Sequence, residues 1–152
     1  EISSAAGRRV LPLQEFVLGN RRTALREGEM VTAILIPDDA AKANGHFLKL
    51  GSRQYLVISF VMVATLLEAD ANGSITQARI SVGACSEVAC RLADLEVDLI
   101  GVSLAEAGNI AAPNHLKDLS PISDIRATAE YRKDAALELV RRSLSACAEG
   151  LS

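Results

Sequence analysis

The sequence holds no tryptophan, and aromatic residues make up only 3% of it. A core must then be built from aliphatic side chains, and the stacking platforms on which single-stranded nucleic acids lie are missing. Positive charge is also scarce: 16 Lys and Arg against 19 Asp and Glu leave a net charge of −3 at pH 7. Without a cationic excess there is no counterion release to favour a phosphate backbone, which argues against nucleic acid as a partner. Cysteines number three (Cys85, Cys90 and Cys147), an odd count too sparse for a disulfide framework. The longest apolar run, Leu56 to Leu67, is broken by Ser59 and Thr65 and falls short of the roughly 20 residues that span a bilayer. Glu1-Ile2-Ser3-Ser4 has neither the basic nor the apolar region of a signal peptide. These absences predict a cytoplasmic chain with no membrane segment. The first residue is not Met, so the chain is expected to be a fragment or a processed product.

What the chain does have is aliphatic mass. Hydrophobic residues make up 49% of its 152 residues, with a mean hydropathy of +0.22. That suffices for one ordinary domain, or for one small domain plus a piece of another. Arg9-Val10-Leu11-Pro12-Leu13 predicts a short edge strand, since Pro12 is unsuited to a central one. Gly19-Asn20-Arg21-Arg22 has turn chemistry, and Glu29 to Ile36 reads as a strand stopped by Pro37. Asp38 to Gly45 is polar and alanine-rich, ends in Asn-Gly, and is the expected linker and domain boundary. Phe47 to Leu50 predicts one strand and Ile58 to Glu68 a longer one, apolar enough to be covered on both faces. Asp70-Ala71-Asn72-Gly73 signals a hairpin. After it, Ala78, Ile80 and Val82 alternate with Gln77, Arg79 and Ser81 as a half-buried strand.

The remainder has helical periodicity. Val88, Leu92, Leu95 and Leu99 recur at spacings of four, three and four, with Gly101 as the stop. Ser103 and Glu106 make a capping-box pattern for a short second helix ended by Pro113. Ser123 or Asp124 should cap a last helix over about residues 126–147, with Ile125, Ala129, Ala136, Val140 and Leu144 as its inward stripe. Glu138 and Arg142 are spaced to pair on its outer face. The predicted fold class is α+β: an antiparallel sheet built on a β-hairpin, with helices packed on one face.

Independent chemistry is harder to find. No Ser/His/Asp or Cys/His arrangement, GxGxxG turn, P-loop or carboxylate pair stands out, so no catalytic residue is assigned. Cys85 and Cys90 are spaced C-x4-C, but a zinc or iron–sulfur site needs further ligands, and His46 and His115 sit in loop-like contexts. The cysteines read as small buried or half-buried thiols, with no metal site. Lys49 and Arg53 flank Gly51-Ser52. A turn bringing them together would suit an anion or an electron-rich ring; the plain alternative is two solvated cations beside a turn. Arg21-Arg22 reads as a surface pair.

Several collinear stretches resemble one family. Phe47-Leu48-Lys49-Leu50-Gly51-Ser52-Arg53, the long strand after it, Gly73, and Ile80-Ser81-Val82-Gly83 are similar to the medium, FAD-binding subunit of xanthine and carbon monoxide dehydrogenases. Pro121-Ile122-Ser123-Asp124-Ile125-Arg126-Ala127-Thr128-Ala129-Glu130-Tyr131-Arg132 resembles that family's PI-D-RAS-EYR signature, which opens its C-terminal helix. Leu11-Pro12-Leu13-Gln14-Glu15-Phe16 and Gly28 to Pro37 look like the end of the preceding FAD-binding domain.

The resemblance implies a domain plan: residues 1–37 as the incomplete end of the FAD-binding domain, 38–45 as linker, and 46–150 as the C-terminal α+β domain of the flavoprotein subunit. It implies FAD in this subunit, with the molybdenum cofactor and iron–sulfur clusters in partner subunits, and leaves homo-oligomerisation of the complex open. Electrons would pass from iron–sulfur clusters through FAD to NAD, oxygen or another acceptor. The glycine-rich loops that cradle the flavin pyrophosphate in the family are absent here. The cofactor-binding residues that carry over are Val31, an apolar contact, and Lys49, a flavin-contacting lysine, with Met30 adjacent. Gln54, Tyr55, Leu56 and Val57 stand where the family loop is acidic, which leaves the acceptor open. From a different class comes the alternative of a non-catalytic α+β module that docks partner subunits.

Overall fold

The N-terminal residues contribute little that can be buried, and the strands they form are short. This computed structural model describes every residue except Asp39, Ala41, Lys42, Leu56 and Ser152, and the chain divides into two units, Glu1–Lys42 and Ala43–Ser152. The first contains β1 (Ile2–Ser4), β2 (Gly7–Arg9), one helical turn α1 (Leu13–Phe16), β3 (Val17–Gly19), β4 (Arg22–Thr23) and β5 (Met30–Val31). β1 pairs antiparallel with both β2 and β5, while β3 and β4 form a separate hairpin. That hairpin's turn is the one expected at Gly19 to Arg22, with Arg21 in the left-handed region at φ 55°. Ile2 is the one buried hydrophobic residue among the described residues of this unit.

Two expected strands are corrected here. Arg9-Val10-Leu11-Pro12-Leu13 is not one: pairing ends at Arg9, and the Pro12 carbonyl instead accepts the Glu15 and Phe16 amides to start α1. The strand expected over Glu29 to Ile36 shrinks to Met30–Val31. A strand persists only beside a partner backbone, and β1 supplies one no further than Glu1. Of the expected linker, Asp39, Ala41 and Lys42 lie outside the described residues, while Asn44 and Gly45 open the next strand rather than preceding it.

The second unit holds a four-stranded antiparallel sheet in the order β6 (Asn44–Gly51), β7 (Ser59–Ala69), β8 (Ile75–Gly83) and β9 (Cys90–Arg91). Its helices are α2 (Ala93–Asp98), a 3-10 turn (Leu104–Glu106) running into α3 (Ala107–Ile110), a second 3-10 turn (Pro113–Leu116), and the long α4 (Ala129–Glu149). Val61, Val63, Thr65 and Leu67 alternate along β7, and Ile80 and Val82 join them from β8. This face is sealed by Ala136, Val140 and Leu144 of α4, by Leu95 of α2 and by Leu99 just after it, in one aliphatic core, as an α+β fold requires. The core's polar pair is satisfied internally, the Ser143 hydroxyl lying 2.9 Å from that of Thr65. Asn44 and Cys147 clasp the two ends of the unit: Asn44 Nδ2 donates to the Cys147 carbonyl, and Cys147 Sγ to the Asn44 carbonyl.

β7 is not covered on both faces. Its Met62, Ala64 and Leu66 face away from the helices and stay half-buried or exposed. The hairpin between β7 and β8 spans Asp70–Ser74, with only Gly73 at positive φ (76°) and the Asp70 carboxylate accepting the Asn72 and Ser74 amides. It is therefore an Asx-type turn rather than a two-residue primed turn. The helix expected from Val88 starts only at Ala93, because Cys90–Arg91 adds to the sheet beside β8; Gly101, at φ 83°, does follow α2. Ser103 makes no side-chain cap, and Pro113 begins a 3-10 turn rather than ending a helix.

α4 starts later than expected, and the reason is a half-buried ion pair. Asp124 accepts the Arg126 and Ala127 amides, which holds those residues out of the helix; Thr128 is the cap, taking the Tyr131 amide, and Ser123 takes that of Ala129. Arg132, 3% exposed, donates to Asp124 and to the Phe60 carbonyl, and its guanidinium lies 5.8 Å from the Phe60 ring centre. Ile125, expected on the inward stripe, is instead 99% exposed. Glu138 and Arg142 pair as expected, at 2.7 Å.

Two outcomes follow for stability. Hydrogen bonds from the Arg126 amide first, and then from Ala127, Arg126 and Arg132, hold the Asp124 carboxyl well below the ordinary carboxylate range. A depressed carboxyl stabilises the fold above its unfolded pKa near 3.8, and that contribution is lost as pH falls further. Asp124→Asn should lower the melting temperature at pH 7 and flatten the decline of stability with acid below pH 4 (about the unfolded pKa), followed by circular dichroism. Gly108 of α3 is a contact point: a Cβ there would meet the Ser145 hydroxyl and lie 3.1 Å from the Arg141 carbonyl. Gly108→Ala should therefore cost about 1–3 kcal/mol in urea unfolding, despite alanine's better helix propensity.

Candidate functional site

Lys49 owes its position to the period of two along β6. Gly45, Phe47 and Lys49 point to the face without helices, while His46, Leu48 and Leu50 turn towards the core side. Across the ladder, Lys49 stands opposite Met62, and Phe47 opposite Ala64. β8 continues this face with Gly83 opposite Met62, where a Cβ would come within 2.9 Å of the methionine side chain. Glycine there lets the thioether lie against the sheet. The outcome is an open surface with an apolar strip of Phe47, Met62, Ala64 and Leu66, bordered on β8 by the polar Ser81 and Arg79; Phe47 is 58% exposed, and Lys49 stands at the edge of the strip.

That ammonium is held. Lys49 Nζ donates a 2.8 Å hydrogen bond to the Val57 carbonyl, on the chain returning from β6 to β7. Gly51 allows the return: a Cβ at Gly51 would lie 2.7 Å from the Val57 side chain. Ser52 and Arg53 are exposed just after it, and Leu56 lies outside the described residues. Lys49 is thus a cation fixed at one end of an apolar face and still open to solvent.

Met30 and Val31 belong to the first unit, where a charged fork positions them. Arg9 Nε and Nη2 each donate to the Glu29 carboxylate at 2.8 Å, and the Arg26 amide donates to the same group. The Arg9 hydrogen bonds first, and then that of Arg26, pull the Glu29 carboxyl down to about 2. The fork closes the Arg26 to Glu29 turn, in which Gly28 takes φ 75°, and β5 starts from it. Val31 then lines an apolar cavity of about 610 Å³, together with Ile2, Leu11, Phe16, Ile34 and Leu35. Met30, 66% exposed, does not line it. Val31 and Lys49 accordingly sit in different units, each on an apolar surface.

Arg9, Glu29, Asp124 and Arg132 were missed as site-building residues by reading the sequence. Arg132 had a visible signal: it lies four residues before Ala136 and eight before Val140, on the same inward stripe. The histidines are not in loops. His46 lies in β6, and His115 is buried in a 3-10 turn, Nδ1 accepting the Ala112 amide and Nε2 lying 3.0 Å from Asp98. Cys85 and Cys147 are buried and Cys90 half-buried. Burial pushes the Cys85 thiol up to about 11 and raises that of Cys147, which disfavours the thiolates that metals require. Among the described residues, no group of three His, Cys, Asp or Glu is placed to hold a metal ion. No described helix is long and apolar enough to cross a membrane.

Comparison with known proteins gives this geometry a setting. The chain is 32% identical over 145 residues to the nicotine 6-hydroxylase medium subunit of Paenarthrobacter nicotinovorans, covering 95% of this chain and 50% of that protein. Quinoline 2-oxidoreductase from Pseudomonas putida 86 superposes with a TM-score of 0.81 at 27% identity, covering 98% of this chain and 51% of that one. A carbon monoxide dehydrogenase from Hydrogenophaga pseudoflava, lacking the Mo-pyranopterin moiety of its molybdenum cofactor, gives 0.76 at 25% identity, with 96% and 50% covered. This chain therefore spans about half the length of the relatives it matches. The CO dehydrogenase flavoprotein C-terminal domain matches residues 46–147, which contain the whole four-stranded sheet but for Asn44 and Gly45, and most of α4. By that match the chain belongs to the family of CO dehydrogenase flavoprotein C-terminal domains, the medium-chain flavoproteins of molybdenum hydroxylases.

Proposed function

We propose that this chain serves, within a longer subunit, to pass electrons from iron–sulfur clusters through FAD to an acceptor. The observation that carries the reading is the family match over residues 46–147, which contain Lys49 on its open sheet face. On this reading residues 1–37 end the FAD-binding domain, 38–45 link it onward, and 46–150 form the C-terminal domain. The partners are an iron–sulfur subunit and a molybdenum-cofactor subunit, as befits relatives named as medium subunits.

The residues fit the ring of a flavin better than its phosphates. An apolar strip of Phe47, Met62 and Ala64 beside a held cation suits an extended aromatic ring, and Val31 offers an apolar contact from its own unit, with Met30 beside it. Among the described residues the positive-φ glycines Gly7, Gly28, Gly73 and Gly101 stand singly and none opens a helix, where a pyrophosphate is ordinarily held. FAD supplies the electron-transfer chemistry when bound, and the protein positions it and sets its electrostatics. Lys49 contributes a fixed positive charge, which acts more strongly where water is excluded and favours the more negative, reduced state.

A second reading, a docking module for partner subunits, draws on Ile125. Its side chain is 99% exposed on a segment braced by the buried Arg132. An upstream reading frame encoding glycine-rich loops, beside genes for iron–sulfur and molybdenum subunits, decides for the flavoprotein reading. Its absence leaves docking alone.

This 152-residue chain, mixed with FAD and desalted, should remain colourless, because the phosphate-holding loops are missing. Stoichiometric flavin absorbance would contradict that account. In the full-length subunit, Lys49→Met keeps the side chain's stem and removes its charge. The flavin midpoint potential should fall by about 30 mV, or about 1.4 kcal/mol for a two-electron couple. If potential and flavin retention are both unchanged in spectroelectrochemical titration, Lys49 has no electrostatic part.

A further inference from the structure

Ile34, Leu35 and Ile36 are 82%, 59% and 69% exposed, although three successive residues of this kind ordinarily form a buried strand. They follow β5 after Thr32 and Ala33, and the cause of their exposure can be read from the ladder. β1 and β5 pair Ser3 with Met30 and Ile2 with Val31. At the next step the Glu1 carbonyl accepts both the Thr32 amide (3.0 Å) and the Ala33 amide (3.5 Å), and the Glu1 nitrogen donates to the Ala33 carbonyl at 2.8 Å. Two residues of one strand answering one of the other is a β-bulge, and past it Glu1 faces Ala33. The pairing is still in progress at Glu1, in the donor and acceptor pattern of a continuing sheet.

We propose that, in the full-length protein, the residues immediately upstream of Glu1 continue β1 as a strand along Ile34–Ile36 and complete the apolar surface around Val31. The proposal rests on the reading of this chain as the C-terminal half of a flavoprotein subunit. The relatives are about twice as long, and the matched domain is a C-terminal one beginning at residue 46. The covering segment therefore comes from the same polypeptide rather than from a second copy or another subunit. Register makes the proposal specific. The first, second and third residues upstream fall opposite Ile34, Leu35 and Ile36. Hydrogen-bonded pairs alternate along an antiparallel ladder, and Glu1 with Ala33 is one of them. The next is Leu35 with the second upstream residue, so the Leu35 amide donates into the sheet and those of Ile34 and Ile36 do not. Since Ile34 and Leu35 point to opposite faces, the upstream strand is apolar on both.

Amide hydrogen exchange on the full-length protein, set beside the same measurement on this chain, tests the idea. The Leu35 amide should exchange roughly 100-fold or more slowly in the longer protein. Flavin content of the same preparation is measured separately by absorbance. Flavin bound with Leu35 unprotected overturns the strand and leaves the flavoprotein reading standing. Leu35 protected without flavin supports the strand and overturns that reading, and loss of both sinks the two together. Protection that grows with protein concentration assigns the strand to a second copy and also overturns the proposal.

Discussion

Everything in the second unit follows from one aliphatic contact, that between α4 and the inner face of β7. Val61, Val63 and Leu67 on the strand meet Ala136, Val140 and Leu144 on the helix, with no aromatic residue at the centre. Aliphatic side chains of this size interlock only at close range, so helix and sheet must approach tightly along their whole length. That closeness explains why the polar members of the interface are paired with each other, Thr65 with Ser143, rather than with water. It also dictates what is left outside. With every helix on one side, the alternate residues of β6, β7 and β8 have nowhere to go but the open face.

The two candidate contacts are built by different means, and the contrast is instructive. Val31 depends on charge: the Arg9–Glu29 fork, with two parallel hydrogen bonds, closes the turn from which β5 departs. Lys49 depends on the absence of side chains. Gly51 lets the chain fold back close enough for the Val57 carbonyl to receive the ammonium, and Gly83 gives Met62 room beside it. Neither residue is positioned by its own neighbours in sequence alone.

Much of the sheet was legible because its signals are short-range. The alternation over residues 78–82, the apolar run of β7 and the Gly73 turn each involve only a few neighbouring positions. Where the reading failed, a local pattern was outweighed by a distant partner. Val88 and Leu92 have helical spacing, yet Cys90 and Arg91 lie beside Val82 and Ser81 and join the sheet. Ile125 continues the stripe of α4 by counting, but the Asp124 carboxylate holds its neighbours' amides and keeps that turn out of the helix. Arg132 was overlooked because an apolar stripe was sought, and a buried guanidinium is recognisable only once its carbonyl and carboxylate partners are in place. Of the site, the resemblance pointed to Lys49 and Val31, while Arg9 and Glu29, 20 residues apart, gave no local sign that they would meet.

The clasp between Asn44 and Cys147 has a consequence for how this unit comes into being. The two residues are 103 positions apart, Asn44 opening β6 and Cys147 lying in the last turn of α4. Joining them closes a loop across 103 positions, so the contact is among the costlier in chain entropy to form. During synthesis β6 leaves the ribosome first and waits, as an edge strand with an unfinished surface, until the final turns of α4 arrive. Once joined, the two ends lie side by side. A domain whose entry and exit coincide can be spliced into a longer polypeptide, or cut and rejoined elsewhere, with little disturbance to its interior.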